Sequence, residues 1–459
     1  MFTTLAVSQV DDLIYGVSPN ALTLKNGLVI GGGTVFPEIN FTLPPMEVTT
    51  ETMPEVKTQY REMTKGVLDR AKALHVPGLI VEIELLPPLT MHPEWGVEVT
   101  KLVLDLMHDY QEKFGLKSSL RITPNDIREM VRPPHMAGGY LYDAMMKSFR
   151  GCAQAGAEML AIESTGGKEI HDDALLNADL QSVLVILGIL SIRDMTRLWQ
   201  DIVAIARETG TVPSGDSACG FGNTAMVLAE RGYIPRTFAA VVRVATVIRS
   251  LVAYEVGAVG PSKDCAYEGP YLKAITGYPI SMEGRSAAVA HLSPLGNITA
   301  ATADLWSNES VQNIKLLADI APVVSMEQLV YDCRLLNAAT RQGKDNALTL
   351  RNLHVESDSR LDPQAYILRP DVVIDIARNI LTEKNHFLRT KRSAREALRV
   401  LRQGIDRNVV AIPSREIPWL ERMAKDIESL SDDEKEAWSQ VKHRLDLDKI
   451  LLADYNIEK

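Results

Sequence analysis

Four cysteines serve a chain of 459 residues, and two of them stand where packing does not call for a thiol. Cys265 lies in GPSKDCAYEG, a polar stretch containing Gly and Pro. Cys219 lies in SGDSACGFGN, among glycines and just past a short run expected to be a strand. A free cysteine is ordinarily a small buried apolar residue. Cys152 in SFRGCAQAGAEM and Cys333 in LVYDCRLLNAA fit that description, each in helix-like sequence. The two loop-like cysteines suit reactivity as well as packing. Glu163 in AIESTGGKE joins them, a carboxylate closing an apolar run ahead of Ser, Thr and two glycines. Two thiolates and one carboxylate are an acceptable zinc donor set, and three protein donors leave a fourth position for substrate. The donors lie 56 and 46 residues apart (163 to 219, 219 to 265), as expected if each hangs from a separate unit. That spacing has no specificity of its own. The alternative for Glu163 is a pocket-mouth carboxylate paired with a base.

The elements that must position these residues alternate along the chain. PGLIVEIEL, SSLRIT, AEMLAIES and TVPSGD are short runs, separated by stretches with apolar residues three and four apart. Strands alternating with helices of this length indicate βαβ units and a parallel sheet. Glu84, Arg121, Glu163 and Asp216 recur where successive strands end. A barrel gathers such ends at one mouth, so the expected fold is an α/β protein built on a (β/α)8 TIM-type barrel. The expected organisation is an irregular N-terminal extension over residues 1–55, a barrel core over 56–345, and additional C-terminal helices over 346–459 packed on the barrel. Ser431 with Glu434 has capping-box spacing ahead of the last helix.

Composition excludes several classes. Lys plus Arg number 49 against 59 Asp plus Glu, a formal charge of −10, which argues against nucleic acid and against an anionic membrane. The longest apolar run, LQSVLVILGILSI, is too short to span a bilayer. The N-terminus has no basic flank and no long apolar run, so a cytoplasmic location is expected. GGGTVF lacks the dinucleotide-binding register, and no phosphate-binding loop, HExxH or GxSxG occurs.

AIESTGGKE, GDSACGFGNTAM, LVAYEVGAVGPSKDCAYE, KAITGYPISMEG and DLWSNESV, with FPEINF near the start and LDPQAY further on, resemble the catalytic subunit of methanol:corrinoid methyltransferases. The likeness runs in the same order over most of the chain. It implies a (β/α)8 barrel and a zinc ion held by Glu163, Cys219 and Cys265, the residues singled out above. It also implies methyl transfer from methanol to the cob(I)amide of a separate corrinoid protein, in a complex built on a homodimer. The GFGN after Cys219 is less polar than in the archaeal methanol enzymes, so an aryl methyl ether is the alternative donor. A scaffold subunit without chemistry of its own is a further alternative, which the three expected donors disfavour.

Zinc coordinating the methyl-bearing oxygen would make it a better leaving group. The three donors sum to −3 and, with zinc at +2, to −1. So negative a centre polarises oxygen weakly and calls for a nearby acid or hydrogen-bond donor. The candidates are Glu84, Asp216 and Tyr254, with Lys263 and Lys168 as balancing charges.

Overall fold

The short runs and amphipathic stretches assemble around one curled parallel sheet. The computed structural model describes residues 1–43, 46–263, 267–290, 292–311 and 315–458. β1 (Val17–Thr23) and β2 (Val29–Gly32) form an antiparallel hairpin. The main body then runs β3 (Phe36–Thr42), α1 (Met53–Ala73), β4 (Leu79–Leu85), α2 (Pro87–Met91), α3 (Pro93–Phe114), β5 (Ser118–Pro124), α4 (Tyr140–Ala155) and β6 (Met159–Ile162). It continues with α5 (Lys168–Leu176), α6 (Leu180–Val185), α7 (Ser191–Thr209), β7 (Val212–Asp216), α8 (Cys219–Glu230) and α9 (Arg236–Glu255). β8 (Ser281–Glu283) and β9 (Leu305–Val311) complete the sheet.

The seven strands from β3 to β9 are all parallel, in the order β7-β6-β5-β4-β3-β9-β8, and curl as in a TIM-type fold. Two details differ from the sequence expectation. Residues 1–55 are not only an extension, because they supply β3, which sits between β4 and β9. And among the described residues the seam between β7 and β8 holds no eighth strand. The irregular segment after α9 lies beside β7 there. Val259 donates its backbone N–H to Pro213 at 2.9 Å. Pro261 has no N–H to donate, so no ladder can form through it. Side chains take up its carbonyl instead: Ser214 Oγ at 2.8 Å and an Arg121 nitrogen at 3.1 Å. Gly260 has φ of +73° and lies so close to Pro279 that a Cβ would stand 2.4 Å from its carbonyl oxygen, so glycine is required.

The two faces of the sheet differ in character. Ile39, Phe41, Val81, Ile83, Leu120 and Ile122 join the apolar core. Glu38, Asn40, Glu82, Glu84, Arg121 and Thr123 alternate with them, as side chains of a pleated strand must. Barrel interiors are usually filled by branched aliphatic residues. This one carries charge, and the charge is paired: Arg121 Nε lies 2.8 Å from Glu38 Oε1, both fully buried.

Helix α9 is long and apolar enough to cross a membrane, yet from Thr237 to Tyr254 it is buried within the protein. The C-terminal helix His386–Asp406 packs along it. His386 Nε2 lies 2.6 Å from Glu255 Oε2, and Arg389 reaches Glu255 Oε1 at 3.3 Å. The covering helix explains why α9 is apolar on all sides. At the last expected helix, Asp433 rather than Ser431 is the N-cap, accepting N–H bonds from Lys435 and Glu436 at 2.9 and 3.0 Å.

Candidate active site

Glu163 and Cys219 follow neighbouring strands. Ile162 at the end of β6 pairs in register with Asp216 at the end of β7. Glu163 is the next residue after Ile162, and Cys219 stands three beyond Asp216, at the first position of α8. The unpaired N–H groups at the start of a helix favour negative charge, the form in which a cysteine binds metal. Asn223, one turn along, donates its side-chain N–H to Cys219 Sγ at 3.2 Å. Cys265, the third expected donor, lies outside the described residues. Among the described residues no group of three His, Cys, Asp or Glu side chains is gathered as a metal site.

The turn carrying Glu163 is held from beneath. Thr165 donates its N–H and hydroxyl to Asp126 Oδ2 at 2.8 and 3.0 Å. Asp126 is clamped by Arg128 at 2.7 Å, and Arg128 also bonds Asp194 Oδ1 at 2.7 Å. All three are buried. The Arg128 guanidinium and the Thr165 bonds outweigh desolvation and hold the Asp126 carboxyl below its usual range. Gly166 packs on Asp194 so closely that a Cβ would lie 2.2 Å from its carboxylate. Gly167, with φ of +82°, turns the chain into α5.

Lys263 organises the interior at this level. Its ammonium lies 2.8 Å from Glu82 Oε1, 2.9 Å from Glu84 Oε1 and 3.6 Å from Glu163 Oε1. Lys263 and Glu82 are fully buried, whereas the Glu84 and Glu163 side chains keep 15% and 33% exposure. The cluster therefore opens to solvent through those two carboxylates. Asn40 donates to Glu84 Oε1 at 2.9 Å, and Thr123 donates to Glu82 Oε1 at 2.6 Å.

The three expected acids or donors separate in the structure. Glu84 belongs to this cluster. Asp216 is fully buried with both oxygens engaged. Its Oδ1 accepts Ser164 N–H at 3.2 Å and Arg249 at 3.4 Å, while Oδ2 accepts Trp199 Nε1–H at 2.9 Å. A carboxylate so engaged ties β7 to the Glu163 turn, α7 and α9. Tyr254 is buried within α9, its hydroxyl against Gly215 and its ring stacked on Tyr278 at 6.0 Å. Burial pushes its phenol well above the usual tyrosine range. Lys168 pairs with Asp172 in α5, one turn on. Glu82, Arg128 and Arg249 were missed in the sequence reading. The alternation in LIVEIEL places Glu82 on the same face as Glu84, and two arginines within the apolar stretch of α9 signal buried charge.

A family model described as methanol-cobalamin methyltransferase B subunit matches residues 1–456. The chain belongs to this family. It is 36% identical over 407 residues to a methanol–corrinoid protein co-methyltransferase of Methanosarcina barkeri, covering 88% of this chain and 87% of the relative. Its fold matches a chain in the crystal structure of the methanol:cobalamin methyltransferase complex from Methanosarcina barkeri. The TM-score is 0.94 with 34% identity, and 99% of each chain is covered. The expected barrel is thereby borne out at the level of the whole fold, as is the resemblance read from the motifs.

Proposed function

We propose that the chain transfers the methyl group of methanol to the corrinoid of a separate corrinoid protein. Glu163, Cys219 and Cys265 would hold the zinc ion used in that transfer. The observation that carries this reading is the placement of Glu163 and Cys219 at neighbouring strand ends, in a chain matching the methanol-cobalamin methyltransferase B subunit family over residues 1–456. The described donors fit zinc by their chemistry. One is a partly exposed carboxylate, and the other is a sulfur at a helix start, oriented by Asn223. Bound there, zinc supplies Lewis acidity toward the oxygen of methanol.

The chain's own residues do the rest. Lys263 offsets the charge of Glu82, Glu84 and Glu163, so that the carboxylates can stand together in a buried setting. Glu84, fixed by Asn40 and Lys263 and still open to solvent, accepts the hydrogen bond of methanol's O–H and orients its oxygen, a positioning role in place of the acid or donor role expected from the sequence. Asp216 and the Asp126–Arg128–Asp194 group keep the Glu163 turn in place. The proton taken up by the departing oxygen comes from solvent at the barrel mouth.

Assaying methyl transfer to cob(I)alamin from methanol and from methoxybenzenes tests the donor. Methanol is expected to be consumed in preference. Turnover of the aromatic ethers alone would overturn the choice of donor. Glu84→Gln is expected to raise the KM for methanol with zinc content unchanged, and an unaltered KM would remove Glu84 from the site.

A further inference from the structure

Helix α9 carries an arginine that nothing about helix packing calls for. Arg249 is fully buried, and burying an unpaired guanidinium costs several kcal/mol. Its nitrogens compensate by reaching two loops at once. One donates to the Ser164 carbonyl at 2.6 Å and also contacts the Ser164 hydroxyl. The other reaches the Ser217 carbonyl at 3.3 Å and Asp216 Oδ1 at 3.4 Å. Ser164 is the residue after Glu163, and Ser217 stands two before Cys219. The guanidinium also lies over the Phe221 ring at 4.6 Å, two residues past Cys219. Ser250, next along the helix, extends the contact. Its hydroxyl donates to Glu268 Oε1 at 2.6 Å, and the same oxygen accepts the Ala218 N–H at 2.8 Å.

We infer that Arg249 is a positioning residue that sets the separation between the loops bearing Glu163 and Cys219, and so the metal affinity of the pair. The inference rests on the proposed zinc ligation. A planar, forked donor can bridge carbonyls on two loops, whereas the single ammonium of lysine cannot hold both in the same directions. Partners that orient ligands from behind typically alter metal affinity by about 10- to 100-fold when changed.

The test uses the full chain, stripped of metal and titrated with zinc against a chelating dye. A parallel titration with cobalt(II) reads the thiolate-to-cobalt absorption. Arg249→Lys is expected to keep its circular dichroism spectrum, bind zinc about 10- to 100-fold more weakly, and shift the cobalt spectrum. Arg389→Lys, at a buried arginine tied to Glu255 away from the site, serves as the control and is expected to keep wild-type zinc affinity. Should Arg249→Lys fail to fold, Arg249→Gln, which cannot bond both loops at once, reads the same brace and is expected to weaken zinc binding about tenfold or more. Wild-type zinc affinity and an unchanged cobalt spectrum in the folded variant would overturn the inference. So would an equal loss of affinity in Arg389→Lys. A wild-type chain that binds neither metal would instead refute the proposed zinc function, and this inference with it.

Discussion

Replacing Lys263 by methionine removes the cation shared by Glu82, Glu84 and Glu163 while keeping much of the side-chain volume. At 2.8 and 2.9 Å, each of the two closest contacts amounts to about 6 kcal/mol at an effective dielectric of about 20. The variant also escapes the cost of burying the ammonium, several kcal/mol, so the net loss is expected at about 3–5 kcal/mol. Urea unfolding at pH 7.5, followed by tryptophan fluorescence and circular dichroism, measures it. Adding Glu82→Gln to the Lys263→Met chain should then recover stability, since the substitution removes a buried charge that has lost its lysine. The same change in the wild type should destabilise. The coupling between the two positions is expected at about 2 kcal/mol or more. A loss below about 1 kcal/mol in Lys263→Met, or an equal effect of Glu82→Gln in both backgrounds, would show that Lys263 does not hold these carboxylates together.

Other consequences can be read from individual groups. Burial pushes the Cys152 thiol up to about 11 and the Cys333 thiol well above its usual range. In the folded, metal-free chain at pH 8, iodoacetamide followed by mass spectrometry should label Cys219 and spare these two, and zinc should protect Cys219. Burial also pushes the Asp362 carboxyl up to about 6, against the attraction of Arg236. The folded chain resists that ionisation while the unfolded chain does not. This group's contribution is therefore most favourable below about pH 4 and is lost as pH rises to about 6, by up to about 3 kcal/mol. The stability difference between wild type and Asp362→Asn, from urea midpoints at pH 4.5 and 7, should move in that sense. Gly166→Ala would press a methyl group on the Asp194 carboxylate, which Arg128 holds fast. A destabilisation of about 1–3 kcal/mol is expected in the same unfolding assay.

The sequence displayed the strand-to-helix rhythm well because β4 to β7 and the helices between them differ plainly in period and length. Glu163 and Cys219 were legible for the same reason, each lying just past an apolar run. β3 was not, since Pro37 and the Pro44-Pro45 pair that follows give FPEINFT the look of a loop. Only tertiary pairing with β4 and β9 makes it a strand. The irregular segment around Pro261, where the described residues hold no eighth strand, was hidden similarly, because the bonds from Arg121 and Ser214 to Pro261 join residues far apart in the chain. The partners of Asp216 were hidden for a related reason. A carboxylate at a strand end reads as reactive until Trp199, Ser164 and Arg249 are seen to occupy it. Charge pairs across a barrel interior leave no local spacing signal, which is why Lys263 could be offered only as a balancing charge.

The proposed function stands on Glu163, Cys219 and Cys265 holding the zinc used for methyl transfer. Metal analysis of the purified wild type and of Glu163→Gln, Cys219→Ala and Cys265→Ala, each assayed for methylation of cob(I)alamin by methanol, tests it directly. About one zinc per wild-type chain is expected, with zinc and methylation lost together in each variant. A metal-free chain with full transfer activity, or variants that keep both zinc and activity, would contradict it.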